Sequence, residues 1–473
     1  MSSAHPRSSS AVRLLLSCTA LCLALAAPVV AEDHAEFIEG PFASGPEVTE
    51  TCLACHEDAA AEVMATTHWT WAAAQQWEGS DGVEARGKIN AFNNFCIAVS
   101  SNWPRCTSCH AGYGWKDADF DFGDETRVDC LVCHDRSGQY RKDPTGAGDP
   151  AADVDLLEAA RSVGGPPTKE ACGSCHFYGG GGDHVKHGDL DSSLIGASRD
   201  HDVHMSADGA DMNCQDCHVT EDHVIQGNSL TVSPGHSNPI GCVDCHDTEP
   251  HERDALNRHQ RVACQTCHIP TFAKDRPTKV SWDWSQAGQD LPSDPDEYGL
   301  DTYSKKKGRV VWAKDVRPTY AWFDGTARVY ELGDVIDPSE PVELTSPHGS
   351  IDDPEAKIHP FKLHTGRQIY DTERKVLVVP KLFGEDGYWS TYDWDRAAEL
   401  GMASADEPYS GSYGFVDTEM YWRLNHMVVG GDLALRCIDC HGRGDHLDWQ
   451  ALGYEDDPVH LEREKRKAER AGE

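Results

Sequence analysis

Positive charge is scarce in this sequence. Its 473 residues include 42 Lys and Arg against 79 Asp and Glu, which gives a formal net charge of −37. A chain with this balance repels polyanions, so we expect no nucleic-acid partner and no attraction to anionic membrane surfaces. A basic protein partner suits the charge, and so does the simpler interpretation that acidity only keeps the protein in solution.

Long apolar runs are absent beyond the N-terminus, so we expect no integral membrane segment. The apolar stretch at 14–27 follows two basic residues and is too short to span a bilayer. Val29-Val30-Ala31 resembles a signal-peptidase site, which predicts that residues 1–31 are a signal peptide cleaved near Ala31. The sequence therefore predicts an exported, periplasmic protein.

Cysteine is almost absent outside one repeated motif. Of 19 cysteines, 16 form eight Cys-x-x-Cys-His motifs, two lie in the predicted signal peptide, and only Cys96 remains. This distribution excludes an ordinary disulfide framework. Zinc also binds paired cysteines, but it does not require a histidine directly after every second cysteine. The motif instead indicates a c-type haem, whose vinyl groups bond both thiols and whose iron the adjacent histidine ligates.

The sequence thus predicts eight covalently bound haem c groups. The attaching residues are Cys52 and Cys55, Cys106 and Cys109, Cys130 and Cys133, Cys172 and Cys175, Cys214 and Cys217, Cys242 and Cys245, Cys264 and Cys267, and Cys437 and Cys440. The motif histidines, each predicted to ligate iron, are His56, His110, His134, His176, His218, His246, His268 and His441.

Aliphatic residues are too few for a large independent core. Hydrophobic residues make up 39% of the chain, and the mature chain has roughly 55 residues per motif, so we expect porphyrins to fill the interior. The predicted fold is mainly α with extensive loops, organised around eight stacked c-type haems, with a minor insertion that contains β-hairpins. We divide the mature chain into three segments. The first (32–268) carries seven haems, one of which is the candidate catalytic haem discussed below. The second (269–436) is a haem-free insertion that covers the haems and supplies distal histidines, and the third (437–473) contains the eighth haem and a charged tail. All three form one cooperative unit.

Local patterns predict where helices and strands lie. Helical patterns occupy residues 57–68, 150–163, 252–262, 413–429 and 461–471. Strand-like runs at 310–312, 327–330 and 376–379 are separated by turn residues.

Each low-spin haem needs a second axial ligand, and the mature chain has more histidines than this requires. Three of them follow a motif histidine by five residues. That offset places the second imidazole beside its own haem, within reach of a neighbouring iron. The predicted distal ligands are His68, His187, His204, His223, His251, His259, His364, His426 and His446.

The stretch around the second and third motifs differs from the rest in charge. Residues 101–145 contain six cations and eight acidic side chains, a far more even balance than in the whole chain. Catalysis at a haem needs an open or easily vacated iron position, and a small anionic substrate is drawn to a local minimum of negative charge. The haem of Cys106 and Cys109 is therefore the candidate reactive centre. The plainer alternative is that these cations pair with haem propionates.

Several segments carry a wider resemblance. The octahaem tetrathionate reductase family of multihaem cytochromes is similar to this chain over nearly its whole mature length, most clearly at Asn94-Phe95-Cys96 and at 104–115, 130–135, 186–190, 202–206 and 263–270. The resemblance implies a lysine as distal ligand of the second haem, which by position is Lys142. The neighbouring Arg141 cannot ligate iron while protonated. It also implies reduction of tetrathionate, nitrite or hydroxylamine, and we expect electrons from a redox donor protein or a quinol-linked cytochrome.

Further catalytic candidates lie near the same motif. Cys96 is a candidate for sulfur chemistry, although a buried structural thiol is its plainer role. Asp129, Asp135 and Tyr140 are candidate proton donors, and Arg105 is a candidate cation for the substrate. Two other functions fit the sequence. One is a non-catalytic electron conduit in which every iron has two histidines. The other is hydroxylamine oxidation, for which the known oxidoreductases use a tyrosine cross-linked to the active haem.

Overall fold

The computed structural model describes residues 34–95 and 97–471. These residues belong to one compact unit. Among them, no helix combines the length and apolar character needed to cross a bilayer. The predicted signal peptide and Cys96 lie outside the described residues.

The helices are short, and apart from the C-terminal one, the described α-helices have at most 11 residues. They are α1 (Gly45–Leu53), α2 (Ala59–Met64), α3 (Thr67–Thr70), α4 (Trp103–Cys106), α5 (Leu131–His134), α6 (Leu156–Arg161), α7 (Lys169–His176), α8 (Cys214–Cys217), α9 (Asp254–Asn257), α10 (Cys264–His268), α11 (Tyr388–Thr391), α12 (Trp394–Ser404), α13 (Cys437–Cys440) and α14 (Pro458–Ala471). Single 3₁₀ turns lie at His34–Glu36, Thr107–Cys109, Glu125–Arg127, Ser192–Leu194, Cys242–Asp244 and Trp284–Gln286.

Haem motifs lie in short helical turns, and in three of them the sequence shows why. Asp216, Asp244 and Asp439 each stand directly before the second cysteine of a motif. Each carboxylate accepts a hydrogen bond from the backbone N–H just before the first cysteine, at 2.6, 2.8 and 2.7 Å. This is the reciprocal half of a helix-capping arrangement, and it fixes the turn that carries both thiols.

A nine-stranded mixed sheet is built from the segment between the seventh and eighth motifs. Its strands are β5 (Thr278–Asp283), β6 (Tyr303–Ser304), β7 (Gly308–Ala313), β8 (Thr319–Phe323), β9 (Ala327–Val329), β10 (Val342–Pro347), β11 (Lys357–Asp371), β12 (Val376–Leu377) and β13 (Tyr413–Arg423). The order is β6-β7-β5-β11-β13-β10-β9, and β8 and β12 also pair with β11. Two separate hairpins are formed by β1 (Ala73–Gln75) with β2 (Glu84–Arg86), and by β3 (Thr220–Glu221) with β4 (Val224–Ile225).

Strand β11 organises the sheet and connects it to a haem motif. It pairs antiparallel with β13 from Phe361 to Asp371, and the largest apolar cluster of the described residues packs around this pair. Before that pairing begins, the carbonyl of Ile358 accepts hydrogen bonds from Ala263 N at 2.9 Å and from the Thr266 hydroxyl at 2.7 Å. The seventh motif is thereby fixed to the N-terminal end of β11.

The expected balance of helix and strand is wrong in the haem-free segment. The insertion is not a minor set of hairpins but the nine-stranded sheet, so "mainly α" understates the strand content. The helix expected at 413–429 is instead β13, because its buried residues Val416, Thr418, Met420 and Trp422 alternate along the chain. A period of two is that of a strand, whereas a helical face repeats about every 3.6 residues.

The helix expected at 461–471 is confirmed as part of α14, whereas the remaining three expected helices are shorter than their patterns suggest. Residues 57–68 contain α2 and the start of α3, and 252–262 contain only α9. In 150–163 the helix begins after Asp155, whose carboxylate accepts from the N–H groups of Leu157 and Glu158 at 3.0 and 3.1 Å. The N-cap of this helix is thus Asp155.

Candidate functional site

Seven of the eight motif histidines face a second histidine from elsewhere in the chain. The ring centroids in each pair are 6.0–6.4 Å apart. The pairs are His56 with His34 (6.3 Å), His134 with His223 (6.4 Å), His176 with His68 (6.1 Å), His218 with His426 (6.4 Å), His246 with His204 (6.0 Å), His268 with His251 (6.2 Å) and His441 with His259 (6.2 Å).

These pairs fit an iron held between two imidazoles. With metal–imidazole bonds of about 2 Å on both sides, the two ring centroids lie about 6 Å apart. In His218 and His268, Nδ1 is bonded to a backbone carbonyl at 2.8 and 2.9 Å, and in His441 to the Asp457 carboxylate at 2.7 Å. A bonded Nδ1 leaves Nε2 for the metal, as is usual for ligating histidines. The eight motifs supply sixteen cysteines for the bonds to haem vinyl groups, so the residues present suit eight attached haems.

Six of the nine predicted distal histidines occur in these pairs. They are His68, His204, His223, His251, His259 and His426. His223 and His251 both follow a motif histidine by five residues, and each faces the histidine of a different motif.

The other three predicted distal ligands do not face a motif histidine in the described part of the chain. His364 is fully buried in β11, where burial lowers its pKa well below the usual value. His187 packs on Trp422 with centroids 5.2 Å apart. Nε2 of His446 lies 2.7 Å from the Tyr320 hydroxyl. Packing and hydrogen bonding within the protein account for these three side chains.

The seventh partner, His34, was missed by the sequence analysis. It lies in a 3₁₀ turn upstream of the first motif and stacks on His56 with an interplanar angle of 23°. The signal that could have found it is its position, since it is the first histidine after the predicted cleavage site.

Contacts between thiols of different motifs show which motifs adjoin. Hydrogen-bond contacts join Cys52 to Cys130, Cys109 to Cys175, Cys172 to Cys214 and Cys242 to Cys264. Longer-range electrostatic contacts join Cys133 to Cys172, Cys217 to Cys245 and Cys267 to Cys437. The motifs therefore run in the spatial order first, third, fourth, fifth, sixth, seventh, eighth, and the second motif lies beside the fourth as a branch.

His110, the histidine of the second motif, has aromatic neighbours instead of a second histidine. Its Nε2 lies 2.7 Å from the carbonyl oxygen of Trp69, and its buried Nδ1 has no hydrogen-bond partner among the described residues. The ring lies among Trp69, Trp71, Trp115 and Phe120 at centroid distances of 4.6–5.6 Å. Burial lowers the pKa of His110 to about 3. The second motif therefore differs from the other seven in the surroundings of its histidine.

Gly112 allows the His110 ring to lie in this position. A Cβ atom at residue 112 would lie 2.6 Å from Cζ3 of Trp69 and 2.9 Å from Cε1 of His110. Both distances are shorter than van der Waals contact, so a side chain here would displace the two rings. The glycine two residues after the second motif is thus required by the packing of Trp69 and His110, and the motif pattern does not show this.

Lys142 extends to the backbone of the same motif. Its ammonium donates to the carbonyls of His110 and Gly112 and forms an ion pair with Asp129 at 2.8 Å. The Lys142 side chain is 8% exposed and that of Asp129 is 0% exposed, so this is a buried pair. The pKa of the Cys109 thiol is lowered mainly by its hydrogen bond with Cys175, and the Lys142 charge adds to the effect. The amine therefore lies close to a haem-attaching thiol of the second motif.

Asp129 connects the lysine to two phenols. It accepts hydrogen bonds from the hydroxyls of Tyr113 and Tyr140 at 2.8 and 2.7 Å and from Val132 N at 3.0 Å. Burial, followed by the Asp129 charge, raises the pKa of both tyrosines well above the usual value. Both phenols therefore keep their protons. The sequence analysis included Asp129 and Tyr140 but missed Tyr113, whose signal was its place in the Ala-Gly-Tyr-Gly-Trp run directly after the second motif.

The structure gives two of the remaining catalytic candidates, Arg105 and Asp135, contacts outside the Lys142–Asp129 pair. Arg105 lies over the Trp389 ring, 5.8 Å from its centroid. The carboxylate of Asp135 accepts from the backbone of its own loop and from the Ser162 hydroxyl at 3.0 Å, so it anchors that loop. Cys96 lies outside the described residues.

Comparison with known proteins agrees with this geometry. A family model described as bacterial cytochrome c matches residues 279–444. An uncharacterised protein of Archaeoglobus fulgidus is 25% identical over 251 residues, which cover 42% of this chain and 82% of that protein. The crystal structure of an octahaem cytochrome c from Shewanella oneidensis is 54% identical, with a TM-score of 0.86, and the match covers 91% of this chain and 98% of that one. This chain therefore belongs to the octahaem c-type cytochromes, and its eight motifs carry eight covalently bound haem c groups.

Proposed function

We propose that this cytochrome is a periplasmic reductase of tetrathionate or of small nitrogen compounds such as nitrite and hydroxylamine, with its reactive centre at Cys106 and Cys109. The observation that carries the proposal is the contrast among the motif histidines. Seven of them face a second imidazole at 6.0–6.4 Å, whereas the ring neighbours of His110 among the described residues are aromatic side chains. Two imidazoles on one iron suit electron conduction, and an iron with a removable second ligand suits chemistry.

The proposal keeps His110 as the iron ligand of the second motif and gives Lys142 the part that a second histidine has in the other seven. The Lys142 ammonium lies against this motif, where it donates to the backbone carbonyls of His110 and Gly112. Lys142 would therefore be the removable distal ligand that the family resemblance implied. When bound, the haem would supply electrons to the substrate.

The protein side chains of the site would bind anions and hold protons. Lys88 lies over Trp71 at 3.7 Å and also lowers the pKa of Cys109, after the larger effect of Cys175, so a second cation adjoins the second motif. The phenols of Tyr113 and Tyr140 keep their protons. Reduction of tetrathionate to two thiosulfates takes two electrons and no proton, whereas nitrite and hydroxylamine also need protons. These phenolic O–H groups are the protein's own proton donors for the latter two substrates.

The test replaces Lys142 with Met and uses Arg141→Met as the matched control. Arg141 is adjacent, but it is half-exposed and pairs with the exposed Asp153. We expect Lys142→Met to change the electron paramagnetic resonance signal of one haem among eight and to lower hydroxylamine and tetrathionate reduction by about 100-fold or more. The control should keep both properties. If all eight haems of the unmodified protein give bis-histidine signals and none binds nitrite, hydroxylamine or cyanide, the protein is a conduit and the proposal fails.

A further inference from the structure

The sixth haem motif lies on an outer surface of the protein chain. Its two residues that neither attach nor ligate the haem, Val243 and Asp244, are exposed, and so are residues 247–250 after it. In the second motif, by contrast, Thr107 and His110 have no solvent exposure. Electrons pass between proteins where a haem lies near the surface, so the sixth motif is a natural point of exchange, whereas the second is not.

An apolar surface adjoins this motif. The β3–β4 hairpin is joined to the segment before the motif by a hydrogen bond from the Asn238 side chain to the carbonyl of Ile225 at 3.1 Å. Val219 and Val224 on the hairpin are 56% and 52% exposed, Ile225 is 37% exposed, and Val243 within the motif is 58% exposed. Exposed branched side chains clustered on adjoining segments are typical of interaction sites. We call residues 219–226 together with 241–250 the docking patch.

The rim of the docking patch is acidic. Glu221, Asp222, Asp247 and Glu249 are all exposed, and the two segments contain no Lys or Arg. The acidic groups attract a cationic partner from a distance. Once the partner is bound, the apolar side chains at the centre form a contact that excludes water.

We propose that the docking patch binds a small basic protein that carries one electron, and that electrons enter the haem chain there. Each transfer oxidises one ferrous centre of the carrier to ferric and reduces one ferric haem of this protein to ferrous, and no atom is transferred. From the sixth motif, the order of adjoining motifs leads through the fifth and the fourth to the second. The inference rests on the proposed electron-transfer function, which requires a donor and a route to the second motif.

Charge argues against the other occupants of this surface. A second copy of the chain across a two-fold axis would bring the same acidic rim against itself. An anionic membrane surface would be repelled in the same way. A basic carrier is the occupant whose charge complements the patch.

The test measures electron exchange with a small basic cytochrome c that has a methionine iron ligand, added in its ferric form as the probe. A methionine ligand raises the potential of such a cytochrome, so the fully reduced octahaem protein passes electrons to it through the same surface that a donor would use. Stopped-flow mixing gives the second-order rate constant. The patch variant is Glu221→Gln, Asp222→Asn, Asp247→Asn and Glu249→Gln. The control variant removes four exposed charges from the haem-free segment: Asp294→Asn, Glu297→Gln, Glu340→Gln and Glu385→Gln.

At low ionic strength we expect the patch variant to react about tenfold more slowly than the unmodified protein, and the control within about twofold of it. High salt should remove the difference, because it screens exposed charges. Equal rates for the two variants would overturn the proposal. So would sedimentation showing that the unmodified protein self-associates and that the patch substitutions abolish this, since a second copy would then occupy the patch.

Reoxidation of the dithionite-reduced protein by hydroxylamine, measured without the probe, separates the two proposals. If the docking patch is wrong and the reductase assignment right, the variants exchange electrons equally with the probe and hydroxylamine still reoxidises the haems. If the reductase assignment is wrong and the patch right, the patch variant remains slow with the probe and hydroxylamine has no effect.

Discussion

Replacing Asp129 with Asn tests whether one buried charge holds the candidate catalytic cluster together. The Asp129 carboxylate pairs with the Lys142 ammonium at 2.8 Å and accepts hydrogen bonds from Tyr113 and Tyr140. An asparagine keeps one oxygen, which still accepts from Tyr113 and from Val132 N. The oxygen that pairs with Lys142 is replaced by an NH₂ group. Because this group is a hydrogen-bond donor, it cannot accept from the Lys142 ammonium.

The expected loss of stability follows from this geometry. Removing one partner of a buried ion pair costs about 3–5 kcal/mol, because the other charge stays buried without compensation. Since the hydrogen bonds to the retained oxygen survive, we expect a loss of about 3 kcal/mol in the free energy of unfolding, at the lower end of that range. Exposure does not reduce this figure, because the Asp129 side chain is 0% exposed and that of Lys142 only 8%.

Guanidinium unfolding followed by far-ultraviolet circular dichroism measures the effect, after the haem content has been confirmed by mass. The matched control is Asp124→Asn, which removes a partly exposed pair with Arg127 from the same loop region. Such a pair contributes about 0–1 kcal/mol. Equal destabilisation by the two substitutions would refute the idea that Lys142 depends on Asp129 in a buried site.

Three further predictions concern other parts of the molecule. Burial raises the pKa of Asp371, but hydrogen bonds from the N–H groups of Arg374 and Ser410 outweigh it and lower the pKa overall. Asp371 therefore stabilises the fold above its unfolded pKa of about 3.9, and acid unfolding of Asp371→Asn should show a smaller loss of stability as pH falls below that value. Asp189→Asn removes a buried charge 3.3 Å from Nδ1 of His426, and spectroelectrochemistry should show one haem potential raised and the others unchanged. Gly112→Ala should cost about 1–3 kcal/mol in chemical unfolding through overpacking and should alter the paramagnetic signal of the second haem.

The haem attachment sites could be predicted because all the required chemistry lies within five consecutive residues. The same local logic explains the Asp439 cap, since the carboxylate and the N–H that it accepts from are three residues apart. The nine-stranded sheet was harder to predict from the sequence. Residues 413–429 contain Glu, Met, Arg and Leu, which suit a helix, but the pairing of residues 413–423 with β11 overrides that preference.

The partner of each motif histidine could not be derived from the sequence, because pairing is a long-range property of the fold. His218 and His426 are paired, although the segment between them in the sequence contains all nine strands of the sheet. His364 is as plausible a ligand from its local sequence as His426. In the structure, however, it is buried in β11, and its Nδ1 lies 3.1 Å from Nδ2 of Asn94. An excess of histidines therefore gives the number of available ligands, whereas backbone topology decides which of them are used.

The different surroundings of His110 are invisible in the motif, because the motif has the same form as the other seven. What differs is the surrounding composition. Aromatic residues are 8% of the chain, yet Trp69, Trp71 and Trp115 all contact this one imidazole. Among the described residues no second histidine faces His110, whereas the Lys142 amine, paired with Asp129, lies against the same motif. Because a second nitrogen ligand can come from an amine as well as from an imidazole, a buried lysine with its own counter-charge is the feature to seek near a motif histidine that lacks a second histidine.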